Sequence, residues 1–302
     1  MEPFEPGDPP LRHYKTAVWD SARWEGFARR GDDVLICTPY KSGTTWMQMI
    51  CALLIFRTAD LPLPLAEISP WMELRAAPDG QVHAMLDAQS HRRFIKTHTP
   101  LDGLPWDARN RHICVLRDPR DVFISMSNQM KNNNPEADAL FEDKEQTDAP
   151  KPPEEPNALF RYWLSTASFA WESDGAPYWS ALRHGATYWQ HRQRQTILMV
   201  HYADLKADLE GQMRRIAAYL GIAVDEALWP SLVHAAGFAQ MKARADTTAP
   251  DTNFNMWKDN AAFFNKGVSR QWEGVLTGES LALLDAALGR YRVDYAAWLL
   301  RG

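Results

Sequence analysis

Four short apolar runs punctuate the chain: Val34–Cys37, Arg93–Thr97, His112–Leu116 and Thr196–Tyr202. Each is four to seven residues long, rich in Val and Ile and bounded by polar or turn-forming residues, which predicts buried strands. Between them the apolar period lengthens. Trp46, Ile50, Leu53 and Leu54 fall at helical spacing, and a polar-faced helix is expected around Val82 to Ala88. Pro119, with acidic neighbours, opens a helix to about Lys131, since proline at the first turn and aspartate beside it are helix-start signals. Two aromatic-rich stretches, 158–170 and 178–192, read as helices. Asp204 opens an amphipathic helix through Tyr219, with Leu205, Leu209, Met213, Ile216 and Leu220 on one face and Gly221 ending it. Residues 226–238 are expected to be helical, 243–260 a polar loop and 279–291 a last helix. Strands alternating with helices predict an α/β fold with a mainly parallel central sheet flanked by helices on both faces.

The segment 132–157 breaks this rhythm, being asparagine-rich, then acidic, then proline-rich. Similar patterns continue on both sides, so it reads as a mobile loop within a single domain spanning 1–302, with 1–15 a flexible N-terminus. A length of 302 residues allows one large domain. A net charge of −5 argues against nucleic acid or an anionic membrane as the main partner, so an anionic ligand needs a local cationic pocket. Cys37, Cys51 and Cys114 sit in apolar segments without a C-x-x-C pair, as buried thiols in a reducing compartment would. The N-terminal stretch lacks the apolar core of a signal peptide and no apolar run reaches bilayer-spanning length, so no membrane span and a cytoplasmic location are expected.

Chemistry enters at the end of the first strand. Lys41-Ser42-Gly43-Thr44-Thr45 is a small-residue turn between that strand and a helix. Such a P-loop-like turn aims backbone N–H groups and the positive end of the helix dipole at one point, which suits an anion. Lys41 adds a full charge, and Ser42, Thr44 and Thr45 add hydroxyls. The first glycine of the nucleotide-hydrolase pattern is missing and the Lys–Gly order is reversed. Trp46, one turn into the helix, is placed to stack on a base. Three further anion-binding candidates are Lys96-Thr97-His98, Arg117 with Ser125 eight residues on, and Asn265-Lys266-Gly267; the first two follow strands, where α/β sheets hold their ligands. Taken singly each has a bland alternative: Arg117 and Asp118 as a helix-start ion pair, Lys266 as a solvated charge, Trp46 and Phe238 as core, His98 as one structural histidine of nine.

Together these segments resemble the cytosolic-type sulfotransferases that use 3′-phosphoadenosine 5′-phosphosulfate (PAPS). Lys-Ser-Gly-Thr-Thr-Trp46 is similar to the family's 5′-phosphosulfate loop, Phe94-Ile-Lys-Thr-His98-Thr-Pro to its catalytic-histidine segment and Arg117-Asp-Pro-Arg-Asp-Val-Phe-Ile-Ser125 to its 3′-phosphate segment. His201-Tyr202-Ala-Asp-Leu-Lys206 and Phe264-Asn-Lys-Gly-Val-Ser-Arg-Gln-Trp272 resemble two later segments, and all five stand in family order from Val34 to Trp272. The resemblance implies that His98 is the general base and that Lys41 stabilises the leaving phosphate while Lys96 stabilises the moving sulfuryl group. An ordinary histidine pKa of about 6.5 would suit that base. It implies further that Thr44, Thr45 and the turn amides hold the 5′-phosphate. Arg117, Ser125, Lys266 and the Gly267 N–H would hold the 3′-phosphate. Trp46 and Phe238 would sandwich the adenine, Tyr202 would bond near it, and Trp71 would line the pocket for a small-molecule or lipid hydroxyl acceptor. The product would be 3′,5′-ADP and no metal is implied, because protein cations do what Mg²⁺ does in kinases. Residues 92–104 look closer to bacterial members, some of which sulfate glycolipids.

Departures from the family pattern are Pro39-Tyr40 in reversed order, Ala236 for a threonine and Asn265 for an arginine, with Arg270 a candidate replacement. The reversed Pro39-Tyr40 alters the turn entry more than the cradle, whereas Ala236 and Asn265 point to weaker nucleotide affinity. The dimerisation motif of animal members is not recognisable in 240–260, which leaves the oligomeric state open. The competing readings are a kinase-like phosphotransferase, which would use ATP and Mg²⁺, and a catalytically silent 3′,5′-ADP-binding protein.

Overall fold

The computed structural model describes residues 3–141, 152–250 and 254–301. Its centre is a four-stranded sheet of β1 (Val34–Cys37), β2 (Phe94–Thr97), β3 (Arg111–Leu116) and β4 (Ile197–His201), in the order β2-β1-β3-β4. All three pairings are parallel, with Cys37 opposite both Thr97 and Cys114, and Leu116 opposite His201. A parallel sheet needs cover on both faces, and side chains alternate faces along a strand. Accordingly Leu35, Cys37, Ile95, Cys114 and Leu116 enter one apolar cluster, and Val34, Ile36, Phe94, Ile113 and Val115 the other. Helix α1 (Thr44–Phe56) lies on the second face and is buried along nearly its whole length, Met47 through Leu54. That is why its sequence reads as apolar all round rather than amphipathic.

Behind the sheet, buried Arg93 grips Asp33 through two bonds, Nε to Oδ1 at 2.7 Å and Nη2 to Oδ2 at 2.6 Å. This bidentate pair ties the starts of β1 and β2 and thereby fixes where their far ends emerge. The edge of β2 is extended by the irregular stretch before it. Lys96 N–H donates to the Pro70 carbonyl and Met72 N–H to the Lys96 carbonyl, at 3.1 Å each, which sets Trp71 beside Lys96.

Within the N-terminal stretch, Tyr14 is fully buried, Arg12 N–H donates to the Asp102 carbonyl and Trp106 N–H to the Gly7 carbonyl. Several of the expected helices are corrected. The single helix expected from Asp204 is two, Tyr202–Ala207 and Leu209–Leu220. Asp208 separates them because its carboxylate caps the second by accepting from Gly211 N–H. The 226–238 helix is a 3-10 turn followed by Trp229–Ala236, and extended Gly237 ends it before Phe238–Ala243 begins. A short helix, Ala245–Thr248, falls in the expected polar loop, and an unexpected helix, Val293–Leu299, buries Tyr295. Asparagines at the end of Pro119–Asn132 and just beyond it are anchored: Asn132 Nδ2 donates to the Asp259 carbonyl at 2.9 Å, and Asn134 N–H to the Met256 carbonyl at 2.9 Å. The remainder of the expected mobile loop, 142–151, lies outside the described residues. No described helix is long and apolar enough to cross a membrane.

Candidate active site

The in-register ends of the four strands place Thr38, His98, Arg117 and Tyr202 along one edge of the sheet. A cavity of about 780 Å³ opens over that edge. Lys41, Gly43, Thr44, Thr45, Trp46, Lys96, His98, Arg117, Ser125, Tyr202, Phe238, Asn265 and Gly267 all line it, as does Trp71. Two candidates do not. Ser42 is fully buried, its Oγ donating to the Tyr40 carbonyl at 3.4 Å, and Lys266 is exposed outside the wall.

The turn is built for close approach. Lys41 and Gly43 are both left-handed, with φ of 56° and 101°. A Cβ at position 43 would lie 2.9 Å from the Tyr202 ring, so the second of these must be glycine. Gly43 is also the N-cap of α1 and supplies no capping side chain, which leaves the first amides of the helix to a ligand. The Thr38 and Thr44 hydroxyls bond at 2.6 Å and tie the turn to the end of β1.

Three cations converge on this space in a protein of net charge −5. Burial first, then Arg117 and Lys96, push the Lys41 ammonium down to about 7. Burial pushes Lys96 to about 8, opposed by buried Glu73. Lys41 Nζ donates to Gln129 Oε1 at 2.6 Å and lies 4.2 Å from the centre of the Phe263 ring. Lys96 Nζ lies 4.4 Å from the centre of the Trp71 ring.

Arg117 stacks on Tyr202 at 4.3 Å and faces Asp121, with Nη2 3.6 Å from Oδ2. Its Nε is buried and has no partner among the described residues, a donor left for a ligand. Asp121 also accepts from the N–H groups of Arg270 at 3.1 Å and Gln271 at 3.2 Å, which holds the 265–271 loop over the site. Arg270, the candidate replacement for the arginine missing at position 265, turns away from the cavity. Its backbone bonds Asp121 while its guanidinium turns to Glu273, Nε to Oε1 at 2.7 Å, and it is absent from the cavity wall. Gly267, at φ 65°, lets the Phe238 ring pack against the loop, where a Cβ would come within 2.8 Å. Trp46 Nε1 donates to the Ala236 carbonyl at 2.8 Å, so position 236 acts through its backbone and fixes the indole.

His98 Nδ1 lies 2.6 Å from the Thr38 carbonyl oxygen. A carbonyl only accepts, so Nδ1 carries the proton and Nε2 keeps a free lone pair. Burial, then Lys96, hold the imidazole well below its ordinary value. The expectation of an ordinary pKa is therefore corrected: the ring is neutral across the physiological range and a weaker base than an exposed histidine. Trp71 and Trp179 flank it, ring centres 4.8 Å and 5.4 Å away.

Sequence reasoning missed Gln129 and Glu73. Glu73 is fully buried, and its Oε1 accepts from Trp24 Nε1 at 2.6 Å, from Thr99 Oγ1 at 2.8 Å and from the Thr97 hydroxyl. Its carboxylate thus brackets His98 from both chain neighbours. The only hint in the chain is the pair of threonines around the histidine.

The wall also includes the apolar side chains of Leu74, Val82, Met85, Tyr178, Trp179 and Met256.

Residues 31–291 match the sulfotransferase domain family. The chain is 37% identical over 281 residues to a glycolipid sulfotransferase of Mycobacterium bovis (strain BCG / Pasteur 1173P2), covering 87% of this chain and 86% of that protein. It is 25% identical to sulfotransferase 1E1 of Homo sapiens, over 87% and 85% of the two chains. Among solved structures, mouse sulfotransferase SULT7A1 complexed with PAP superposes with a TM-score of 0.70 at 22% identity, over 92% of each chain. Retinol dehydratase in complex with androsterone and inactive cofactor PAP gives 0.65 at 18% identity, over 90% and 85%. At those identities what is shared with the two structures is the fold.

Proposed function

The chain belongs to the sulfotransferase family, and from that premise we propose that it transfers the sulfuryl group of PAPS to a hydroxyl of a small or lipid acceptor, with His98 as general base and Lys41 at the leaving phosphate. The observation that carries this is the meeting, in one cavity, of a buried neutral histidine with an open Nε2, two buried cations, Lys96 and Arg117, and the half-buried Lys41. The site fits such a nucleotide on three counts: the unpartnered Arg117 Nε, the uncapped start of α1, and the two glycines whose missing Cβ atoms leave the backbone open.

PAPS supplies an activated sulfuryl group: the S–O bond to its 5′-phosphate breaks as one to the acceptor oxygen forms. His98 Nε2 takes the proton that the acceptor hydroxyl gives up, and the Thr38 carbonyl steadies the imidazolium through Nδ1–H. Lys41 donates to the oxygen on which charge builds, and Lys96 serves the moving group from the β2 side. Thr44, Thr45 and the first amides of α1 hold the 5′-phosphate. Arg117 and Ser125 hold the 3′-phosphate, with the Gly267 N–H closing from the loop. Trp46 and Phe238 take the base, and Tyr202 serves mainly as the platform beneath Arg117 and against Gly43.

For the acceptor, the apolar side chains in the cavity wall and the 37% identity to a glycolipid sulfotransferase favour a lipid-linked or otherwise apolar alcohol. Two measurements test the reading. Saturating 3′,5′-ADP raises the melting temperature by mass action, whereas stabilisation by ATP with Mg²⁺ alone would point to phosphoryl transfer. His98→Ala keeps that 3′,5′-ADP stabilisation and loses radiolabelled transfer from PAPS across a panel of phenols, alcohols and glycolipids. An active His98→Ala enzyme would remove the base assignment.

A further inference from the structure

Gln129 has no place in the chemistry just described, yet its amide makes a 2.6 Å bond to Lys41 Nζ. We infer that Gln129 is a positioning residue for Lys41, holding its ammonium charged and aimed into the cavity before nucleotide binds; this rests on the role proposed for Lys41.

Charge around Lys41 makes such a partner necessary. Arg117 faces it from the end of β3 and Lys96 from β2, with neutral His98 beyond. The carboxylates that contact its cationic neighbours or their strands are engaged elsewhere: Asp121 with Arg117 and the amides of Arg270 and Gln271, Glu73 with Trp24, Thr97 and Thr99, while Glu67 lines the same cavity without an ion pair to Lys41 among the described residues. Among the described residues, no carboxylate forms an ion pair with Lys41. What remains is the Phe263 ring face and the Gln129 carbonyl oxygen. A neutral acceptor suits this position better than a carboxylate. It favours the charged form of the lysine without cancelling the positive field that the phosphates need. Gln129 stands four residues after Ser125 in Pro119–Asn132, so one helix face presents both the hydroxyl for the 3′-phosphate and the amide for Lys41.

The sign of the effect follows. Lys41 must be protonated to donate, so activity falls as pH rises through its pKa. The pH profile of kcat/KM for PAPS reports the free enzyme, where Lys41 stands at about 7. Gln129→Leu removes the acceptor and moves the alkaline limb to lower pH by about one unit; Gln129→Glu adds an anion and moves it to higher pH by a similar amount. A purely structural role would lower rates at every pH and leave the limb in place. Circular dichroism and the 3′,5′-ADP thermal shift show that each variant is folded, and Gln129→Met serves if Gln129→Leu is not.

Lys41→Met is measured alongside. If Lys41→Met keeps wild-type activity, the role of Lys41 is wrong. If it is inactive while the position-129 variants share the wild-type limb, the inference about Gln129 alone is overturned. Opposite displacements of the limb by the neutral and the acidic substitution support it.

Discussion

The two ends of the cavity are made in different ways. The cationic end is assembled from short local units, each a strand end with its turn: Thr38 to Trp46, Lys96 to His98, and Arg117 with the helix to Ser125. The apolar end gathers single side chains from distant stretches, Leu74, Val82, Met85, Tyr178, Trp179 and Met256, most of them from irregular segments or short helices. Holding a doubly phosphorylated nucleotide requires donors of fixed type at fixed spacing, which confines them to motifs. Excluding water around an apolar group requires only area, which many combinations of side chains can provide. One end should therefore govern every substrate alike, and the other should choose among them.

The largest break in that comparison comes from Arg117→Ala. It removes the guanidinium, including the buried Nε that now lacks a partner, and leaves the apolar arm untouched. Charge-assisted bonds of this kind are worth about 1.5–3 kcal/mol, so 3′,5′-ADP affinity by calorimetry should fall by roughly 10- to 100-fold. The loss should be the same in kcat/KM for every acceptor tested. A loss confined to some acceptors would mean that the two ends are not separate.

A smaller effect separates the ends by pH. Lys41, at about 7, is held down by burial and by neighbouring cations, and Lys96, at about 8, by burial against the opposing pull of Glu73. A bound anion raises both, so the complex carries more protons than the free protein at pH 7.5. Binding of 3′,5′-ADP should therefore take up protons and weaken as pH rises from about 6.5 to 8.5, by at most tenfold per unit for each proton taken up. Calorimetry in buffers of differing ionisation enthalpy reads the uptake directly. A neutral acceptor bound at the apolar end should show none. Release of protons on nucleotide binding would contradict the assignment of the cationic end.

The same division explains what was legible in the chain. β1 to β4 fall within about a residue of the apolar runs, because parallel strands buried on both faces are short and continuously apolar. The turn at Lys41 and the Arg117–Ser125 pair were visible because phosphate chemistry restricts residue type and spacing together. The break at Asp208 was hidden because Leu205, Met213 and Ile216 keep a single apolar phase across it while a capping carboxylate interrupts the backbone. Gln129 carries no signal at all: an amide on a polar helix face is ordinary until the fold brings Lys41 to 2.6 Å. Arg270 shows the converse. Proximity in sequence suggested a phosphate contact, but its left-handed backbone, φ 62°, and the bond to Glu273 direct the guanidinium away. Asn132 and Asn134 looked like loop composition, yet their bonds to the 255–259 segment hold part of the apolar end in place.

The finest test lies at that apolar end. Met85 lines the cavity from the helix Gln81–Asp87 and is only partly buried. Its flexible thioether side chain adapts to ligand shape. Met85→Ala widens the wall without leaving a polar group unpaired, so stability and 3′,5′-ADP affinity should hold. A methylene-sized contact is worth about 1–3 kcal/mol in discrimination, and a partly buried position should give the lower part of that range. The ratio of kcat/KM between a long-chain and a short-chain alcohol should accordingly change by about fivefold to tenfold, through KM rather than kcat, because His98 and Lys41 are not moved. An unchanged ratio would place the acceptor elsewhere along the wall. A fall in kcat for both alcohols with KM constant would tie Met85 to the chemical step, and the independence of the two ends would then fail at its weakest point.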